Sequence, residues 1–321
     1  MKRDQHGLTI IELLTVLAII VILISLLLPA YEKVKHAALD AKQRAQFAAI
    51  GLGLEAFRAD FGSYPASNAT VQGGALAGEP SYTGAQKLAE AMVGRHLLGY
   101  HASSNLATTD GIDAGLIPPQ PYPLPSTLTA AEFQLYRQNT QDYYVDVDTA
   151  NAFRIGNVSV GTGPDLPGLF ENVYGSLAPN THVLCDVYTK QSLNMPGNIV
   201  VKAGAPILYY RANTTNKSLR GAPNAFAGNT YNALDNDYLV RQRAVYMDAA
   251  SGGTATIRPF GGNWDLFYGN SIVGDPDQIG YIQDPTVTSA PTSYRPDSFI
   301  LISAGKDGIY GTADDITNFG N

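Results

Sequence analysis

The strongest pattern in the chain is an apolar run from Leu8 to Leu28, which a short charged leader precedes and one charged residue, Glu12, interrupts. At about 1.5 Å per residue, a helix of this length is roughly 31 Å long, which is enough to span the hydrocarbon core of a bilayer. A carboxylate inside such a segment is costly, so Glu12 is a candidate functional residue. The pattern predicts a membrane-spanning helix that carries the rest of the chain outside the membrane.

Helical periodicity continues beyond Pro29 and predicts a helix as far as Phe61, where Gly62 and Pro65 supply stop signals. Pro29 removes one backbone hydrogen bond, so a kink or local loosening is predicted at the membrane edge. Two stripes at helical spacing follow. The alanine stripe is Val34, Ala38, Ala41, Ala45, Ala48 and Leu52, and the aromatic stripe is Phe47, Ile50, Leu54, Phe57 and Phe61. We expect the aromatic stripe to pack on a globular domain and the alanine stripe to face neighbouring helices; the alternative is that the domain covers both.

The remaining sequence predicts an α+β domain with long loops. Residues 66–180 are rich in Gly, Pro, Ser and Thr, with short helices predicted at about 85–98 and 129–139. Four segments rich in β-branched and aromatic residues predict strands of an antiparallel sheet, at 182–188, 198–201, 207–211 and 299–303. Residues 212–297 are again loop-rich, with a β-prone piece at 238–245.

Charge and cysteine content narrow the range of functions. The chain has 321 residues and a net charge of −7, and its Lys and Arg residues are scattered. No basic stripe would follow a phosphate backbone, which argues against nucleic acid as the main partner. Cys185 is the only cysteine, so no intrachain disulfide is possible. His182 and Cys185 would face opposite sides of a strand, so we expect a buried thiol rather than a Cys–His nucleophile.

The C-terminal stretch 299–319 carries carboxylates at Asp307, Asp314 and Asp315 among glycines and a hydroxyl. Hard cations such as Ca²⁺ bind several oxygen ligands on a loop that can wrap around them. The alternative is a hairpin with Asp-Gly turn chemistry and no metal.

A secretory signal peptide and an unprocessed membrane anchor each fit the N-terminal residues only in part. A signal peptide would place its cut after Ala30, but Leu28 then stands where a small residue is needed. An unprocessed anchor accounts for the length of the apolar run but for neither Gly7 nor Glu12. Glu12 itself has a structural alternative, a capping box with Thr9 at the helix start.

The segment Gly7, Leu8 and Thr9–Leu14 resembles the processing and assembly segment of type IV pilin-like proteins. This resemblance implies that a prepilin peptidase cuts between Gly7 and Leu8 and methylates the new N-terminus. Glu12 would then neutralise the N-terminal amine of a neighbouring subunit in a filament, and Pro29 also stands where the family has a proline. Leu8 departs from the commonest residue, phenylalanine.

The second resemblance lies at the C-terminus, where the segment from Ser303 to Asn318 looks like the calcium loop of the major pseudopilin of type II secretion systems. It implies Ca²⁺ binding with Ser303, Asp307, Asp314 and Asp315 as ligands, although the acidic pair is shifted against the usual pattern. The implied division is a leader at 1–7, a transmembrane and assembly helix at 8–30, its outer half at 31–62, and a periplasmic domain at 63–321 with insertions at about 66–180 and 212–297.

The resemblance implies a structural subunit with no catalytic activity, nearest to the major pseudopilin. The chain would be an inner-membrane, single-pass protein with a periplasmic C-terminal domain, and would polymerise into a periplasmic or surface filament. Its partners would be further copies of itself, prepilin peptidase, the inner-membrane assembly platform and other pseudopilins. The alternatives are a minor tip-type pseudopilin, an adhesive surface pilin, and a membrane-tethered hydrolase or sugar-binding protein.

Overall fold

The computed structural model describes residues 10–68, 70–71, 81–95, 97–101, 104, 106, 141–157, 166–171, 173, 177–178, 180–216, 219, 228–250, 267–268, 280–288 and 290–320. The predicted helix at 129–139 lies outside these residues. The chain divides into two compact units, residues 1–42 and 43–321.

The helices and strands follow one another along the chain in an α+β order, as predicted. The helices are α1 (Ile10–Phe61), α2 (Gly84–Val93), α3 (Val147–Ala150) and α4 (Asp237–Ala250), the last preceded by a 3₁₀ turn at Ala233–Asn236. The strands are β1 (Thr70–Val71), β2 (Ser81–Tyr82), β3 (Ala152–Arg154), β4 (His182–Leu184), β5 (Gln191–Met195), β6 (Ile199–Ala203), β7 (Leu208–Arg211), β8 (Phe299–Ser303) and β9 (Ile316–Thr317).

The described strands form small antiparallel sheets rather than one broad sheet. β1–β2, β3–β4 and β5–β6 are two-stranded, and β7–β8–β9 is three-stranded. In the three-stranded sheet Leu208 lies opposite Ile302, and Ile302 lies opposite Thr317. All five residues of β8 are buried, so this strand runs through the centre of the core.

Helix α2 is buried along its whole length, because it packs on β4 and β7. Its start is fixed by a capping box in which the Gln86 Oε1 accepts from the Thr83 backbone N at 2.8 Å. Gly84 permits the close approach to β7, since a Cβ there would lie 2.4 Å from the Tyr209 carbonyl oxygen. The helix ends at Val93, earlier than the predicted 98, because Gly94 takes up a φ of 78°.

The β-prone piece at 238–245 was predicted wrongly, since these residues lie within helix α4. Two polar contacts near its start favour the helix. The Asn232 side chain caps the preceding 3₁₀ turn by accepting from Leu234 N, and Asp237 pairs with Arg241 one turn later at 2.8 Å. Both contacts favour a helical start, which β propensity alone does not detect.

Candidate functional site

The N-terminal candidate site begins with Glu12, which lies in the first turn of α1 and is exposed. Its carbonyl oxygen accepts a hydrogen bond from the Thr15 hydroxyl at 2.9 Å. Gly7 and Leu8, the predicted cleavage position, lie outside the described residues, as does Thr9 of the predicted capping box. The structure therefore places the carboxylate on the surface of an apolar helix end.

The apolar part of α1 is exposed. An 18-residue window of α1 reaches a mean hydropathy of 3.1, and none of that window is buried. Within the described residues, α1 is the one helix long and apolar enough to cross a membrane. A signal sequence would have the same length and composition, so the distinction depends on the residues around Gly7 and Glu12. The helix continues through Pro29 without interruption.

The outer part of α1 separates its two stripes as predicted. Four members of the aromatic stripe are buried, and Phe61 is 37% exposed. Phe57 packs edge-on against the rings of Tyr100 and Tyr144. All six members of the alanine stripe are exposed. Within residues 43–321, the described part of the globular domain leaves Ala45, Ala48 and Leu52 uncovered, as predicted.

Two buried glutamines tie the outer part of α1 to the strand region. The Gln43 Oε1 accepts from Val187 N at 2.9 Å, and the Gln46 Nε2 donates to the carbonyl oxygens of Cys185 and Thr149, each at 3.0 Å. The hydrophobic periodicity of the helix did not predict these contacts. A polar residue on a buried helix face interrupts the apolar stripe and gives no sign of its distant partner.

The C-terminal candidate site brings three aspartates onto one compact loop. The Asp314 carboxylate accepts from Asp307 N at 2.9 Å and from the Thr312 hydroxyl at 2.7 Å. Asp307 in turn accepts from Ile309 N at 2.8 Å. The Asp315 carboxylate accepts from Gly311 N at 2.6 Å and from the Tyr281 hydroxyl at 2.7 Å. The carboxylates thus hold the loop together through its own backbone and hydroxyl donors.

The three loop carboxylates also repel one another. Burial raises the pKa of Asp315 to about 7, and the charges of Asp307 and Asp314 add to that rise, while hydrogen bonds from Tyr281 and Gly311 oppose it. Burial likewise raises the pKa of Asp307. For Asp314 burial acts in the same direction, but the hydrogen bonds from Thr312 and Asp307 outweigh it and lower the pKa. A cation on this loop would relieve the repulsion.

Ser303 lies at the end of β8 and is fully buried. Its hydroxyl donates to the Asp186 Oδ2 at 2.9 Å and accepts from Gly305 N at 3.2 Å. The structure therefore places Ser303 in a contact with Asp186, while Asp307, Asp314 and Asp315 share the loop. Among the residues that the structure describes, no group of three or more His, Cys, Asp or Glu side chains is arranged to hold a metal ion.

Asp186 is a buried residue that the sequence pattern did not single out. Its Oδ1 accepts from Ala205 N at 3.0 Å and from Tyr188 N at 3.2 Å, and burial raises its pKa to about 7. The neighbouring Cys185 is fully buried, as expected, and burial raises the pKa of its thiol well above the ordinary value. Asp186 joins the end of β4 to the start of the C-terminal loop, a contact across 117 positions of sequence.

The comparisons with known proteins bear on the N-terminus alone. Residues 2–28 match the family model of the prokaryotic N-terminal methylation motif, which is under a tenth of the chain. No curated protein and no solved structure matches the chain. The matched residues contain Gly7, Leu8 and Glu12 and run to the end of the apolar segment. The apolar helix and this motif are consistent with a type IV pilin-like, single-pass membrane-anchored protein.

Proposed function

We propose that this chain is a structural subunit of a type II secretion pseudopilus or of a related type IV pilus-like filament. The observation that carries the proposal is the methylation motif at residues 2–28 on a helix whose apolar surface is exposed. In this proposal a prepilin peptidase cuts between Gly7 and Leu8 and methylates Leu8. The C-terminal domain lies in the periplasm, and the filament works mechanically rather than by catalysis.

Glu12 has the central role in assembly. An ionised carboxylate inside the membrane has a large desolvation cost. The free amine that cleavage creates on another copy supplies an opposite charge that offsets this cost. When the Glu12 carboxylate pairs with this amine in a medium of low dielectric, one axial offset between neighbouring subunits is favoured. The exposed alanine stripe then lets neighbouring helices approach closely.

Mass spectrometry of the native N-terminus tests the processing step. The expected mature chain begins at methylated Leu8 in cells with a working prepilin peptidase. An intact Met1 start in such cells contradicts the proposal, and a start at Tyr31 indicates a cleaved signal peptide instead.

The variant Glu12→Ala tests the assembly step. We expect processing to proceed and filaments to be lost, with Glu12→Gln showing the same loss because it keeps the size and removes the charge. Normal filaments from both variants would reduce Glu12 to a helix-capping residue. Immunoblots of sheared filament fractions, with processing followed in the same cells, give both readouts.

We also propose that the C-terminal loop binds Ca²⁺ through Asp307, Asp314 and Asp315. The support is that hydrogen bonds to Asp314 from Asp307 N and the Thr312 hydroxyl, and to Asp315 from Gly311 N, gather these carboxylates on one loop. A bound ion stabilises the folded state by RT ln(1 + [Ca²⁺]/Kd), or about 2.7 kcal/mol at a hundred times Kd. Thermal unfolding with added CaCl₂, and with EGTA as the control, measures the shift in Tm. An unchanged Tm at millimolar Ca²⁺ contradicts this site, and Asp314→Asn should abolish the shift.

The alternative is a minor tip-type pseudopilin or an adhesive surface pilin, which the length of the chain favours. Glu12 argues against the tip position, because in the family that the N-terminal segment resembles the tip subunit typically lacks this glutamate. The ratio of this subunit to others in purified filaments separates the two roles: a majority share indicates the main subunit, and about one copy per filament indicates the tip.

A further inference from the structure

The turn end of the β5–β6 hairpin projects from the domain. Buried residues Gln191, Leu193 and Ala203 hold its base, whereas Ile199 is 60% exposed and Val200 59% exposed. Successive residues of a strand face opposite sides, so exposure of both means that both faces of the tip are open. Gly197 and Asn198, with φ of 85° and 61°, form the turn. An exposed strand edge offers unpaired backbone groups to another chain.

The sequence that contains this hairpin has a net charge opposite to that of the chain as a whole. Between Asp186 and Asp235 the sequence has no acidic residue and five basic ones, in a chain whose net charge is −7. Lys190 at the base and Lys202 on β6 are both exposed. The hairpin therefore combines an aliphatic tip with positive charge nearer its base, where Lys202 lies opposite Ser192.

A second surface of the same chain carries negative charge and an exposed aromatic ring, which complement the lysines and aliphatic residues of the hairpin. We call it the acidic patch: Asp60 at the end of α1 with Asp142, Asp146 and Asp148, all exposed, and Tyr143, which is 45% exposed. The Tyr144 hydroxyl donates to the Asp60 Oδ2 at 2.6 Å and so joins the segment to the helix end. The nearby Arg58 lies 3.9 Å from Glu55, which leaves that pair neutral.

We propose that the β5–β6 hairpin of one copy docks on the acidic patch of the next copy, an inference that rests on the proposed filament. Both surfaces are exposed within one chain, so they do not cover each other. Because they are two different surfaces, their contact is head-to-tail and can propagate without closing, which is the symmetry of a helical filament. Opposite charges set the register and orientation, and the apolar contact of Ile199 and Val200 with Tyr143 supplies affinity.

Cysteine cross-linking in full-length protein, in cells that assemble filaments, tests the docking. The native Cys185 is fully buried and gives little background. The variant Val200→Cys with Tyr143→Cys should form a ladder of linked subunits with a short bis-maleimide. The control pair, Val200→Cys with Val287→Cys, uses another exposed residue, 36% accessible, and should give no ladder.

Charge reversal provides the second arm. Lys190→Glu with Lys202→Glu should lower the ladder yield about tenfold, since like charges across an interface cost at least about 1.4 kcal/mol. Adding Asp142→Lys and Asp148→Lys should restore it, because the charges are then exchanged. Asp146 stays unchanged, since its carboxylate caps α3 by accepting from Asp148 N and Thr149 N.

Filaments are measured in sheared fractions, separately from the cross-linking. Failure of the docking proposal can therefore be distinguished from failure of the proposed filament function. Filaments without the Val200–Tyr143 ladder, or a ladder that charge reversal leaves unchanged, overturn the docking and leave the proposed function standing. Linkage of position 200 to a different protein overturns a second copy as the occupant. A chain that never forms filaments overturns both proposals.

Discussion

The two stripes of α1 can be compared with a matched pair of substitutions, Leu54→Ala and Leu52→Ala. The two leucines stand two positions apart on one helix, but Leu54 is fully buried and Leu52 is 74% exposed. The chemistry and the change in helix propensity are the same in both variants. Any difference in stability therefore reports burial alone.

The expected magnitude follows from the buried side chain. Truncating Leu54 removes about three carbons from the core, at about 0.8 kcal/mol each. The cavity left behind adds to this cost, so about 3–4 kcal/mol is expected, within the range of measured Leu→Ala changes in cores. Leu52→Ala should change the free energy of unfolding by less than about 0.5 kcal/mol, as for most surface positions.

Urea unfolding of the full chain in detergent micelles measures the two values. Near-UV circular dichroism is a suitable probe, because Tyr82, Tyr209 and Tyr210 are buried and report packing of the domain. The slope of free energy against urea should stay the same in both variants. Equal destabilisation by the two substitutions, or a larger effect at Leu52, would refute the assignment of the two faces.

Further substitutions test the same packing and its charges. Gly51→Ala should stabilise the protein by up to about 1 kcal/mol, because alanine has the higher helix propensity and its Cβ would make an ordinary contact with Phe299 at 3.9 Å. Gly53→Ala should destabilise the protein by about 1–3 kcal/mol, because its Cβ would clash with Val145 at 2.7 Å. The same urea titration compares the two variants. Gln46→Ala should cost about 1–3 kcal/mol, because the carbonyl oxygens of Cys185 and Thr149 each lose a hydrogen bond. A change at the neighbouring exposed Ala45, Ala45→Ser, should be near neutral. Asp186→Asn should reduce the pH dependence of stability: burial raises the folded-state pKa of Asp186 to about 7, so its contribution to stability falls as pH rises from about 4 to about 7, by up to about 1.4 kcal/mol per pH unit. Unfolding titrations at pH 4, 5.5 and 7 measure this slope, and an unchanged slope in the variant contradicts it. The slope due to Asp315, whose pKa is also raised to about 7, should remain.

The sequence was informative where a pattern is local and long. Helix α1 and the burial of its aromatic stripe could be predicted, because several turns of regular spacing leave few alternatives. The strand at 299–303 could also be predicted, since a short β-branched run bounded by turn residues is typical of a core strand. Each of these predictions depends on residues within about fifty positions of one another.

Predictions failed where a distant contact or a short cap decides the outcome. The piece at 238–245 has the composition of a strand, yet the Asn232 cap and the Asp237–Arg241 pair lie in a helical start that β propensity does not detect. The described strands pair in several small antiparallel sheets, an arrangement that the sequence did not predict, because strand pairing between distant segments is set by the whole fold rather than by each strand. Gly94 was visible in the sequence, but its positive φ was needed to end α2 at Val93.

Ser303 shows how a distant partner changes the meaning of a residue. By resemblance it is one of four ligands on a calcium loop, and its hydroxyl is of the right kind. In the fold that hydroxyl donates to Asp186, a carboxylate whose other oxygen already accepts two backbone N–H groups. A bound ion at Asp307, Asp314 and Asp315 would therefore act on a loop whose first residue is already fixed to the core. The expected effect of Ca²⁺ is then confined to the outer turn, so Asp186→Asn should lower the stability of the loop without abolishing the Ca²⁺-dependent shift in Tm, whereas Asp314→Asn should abolish it.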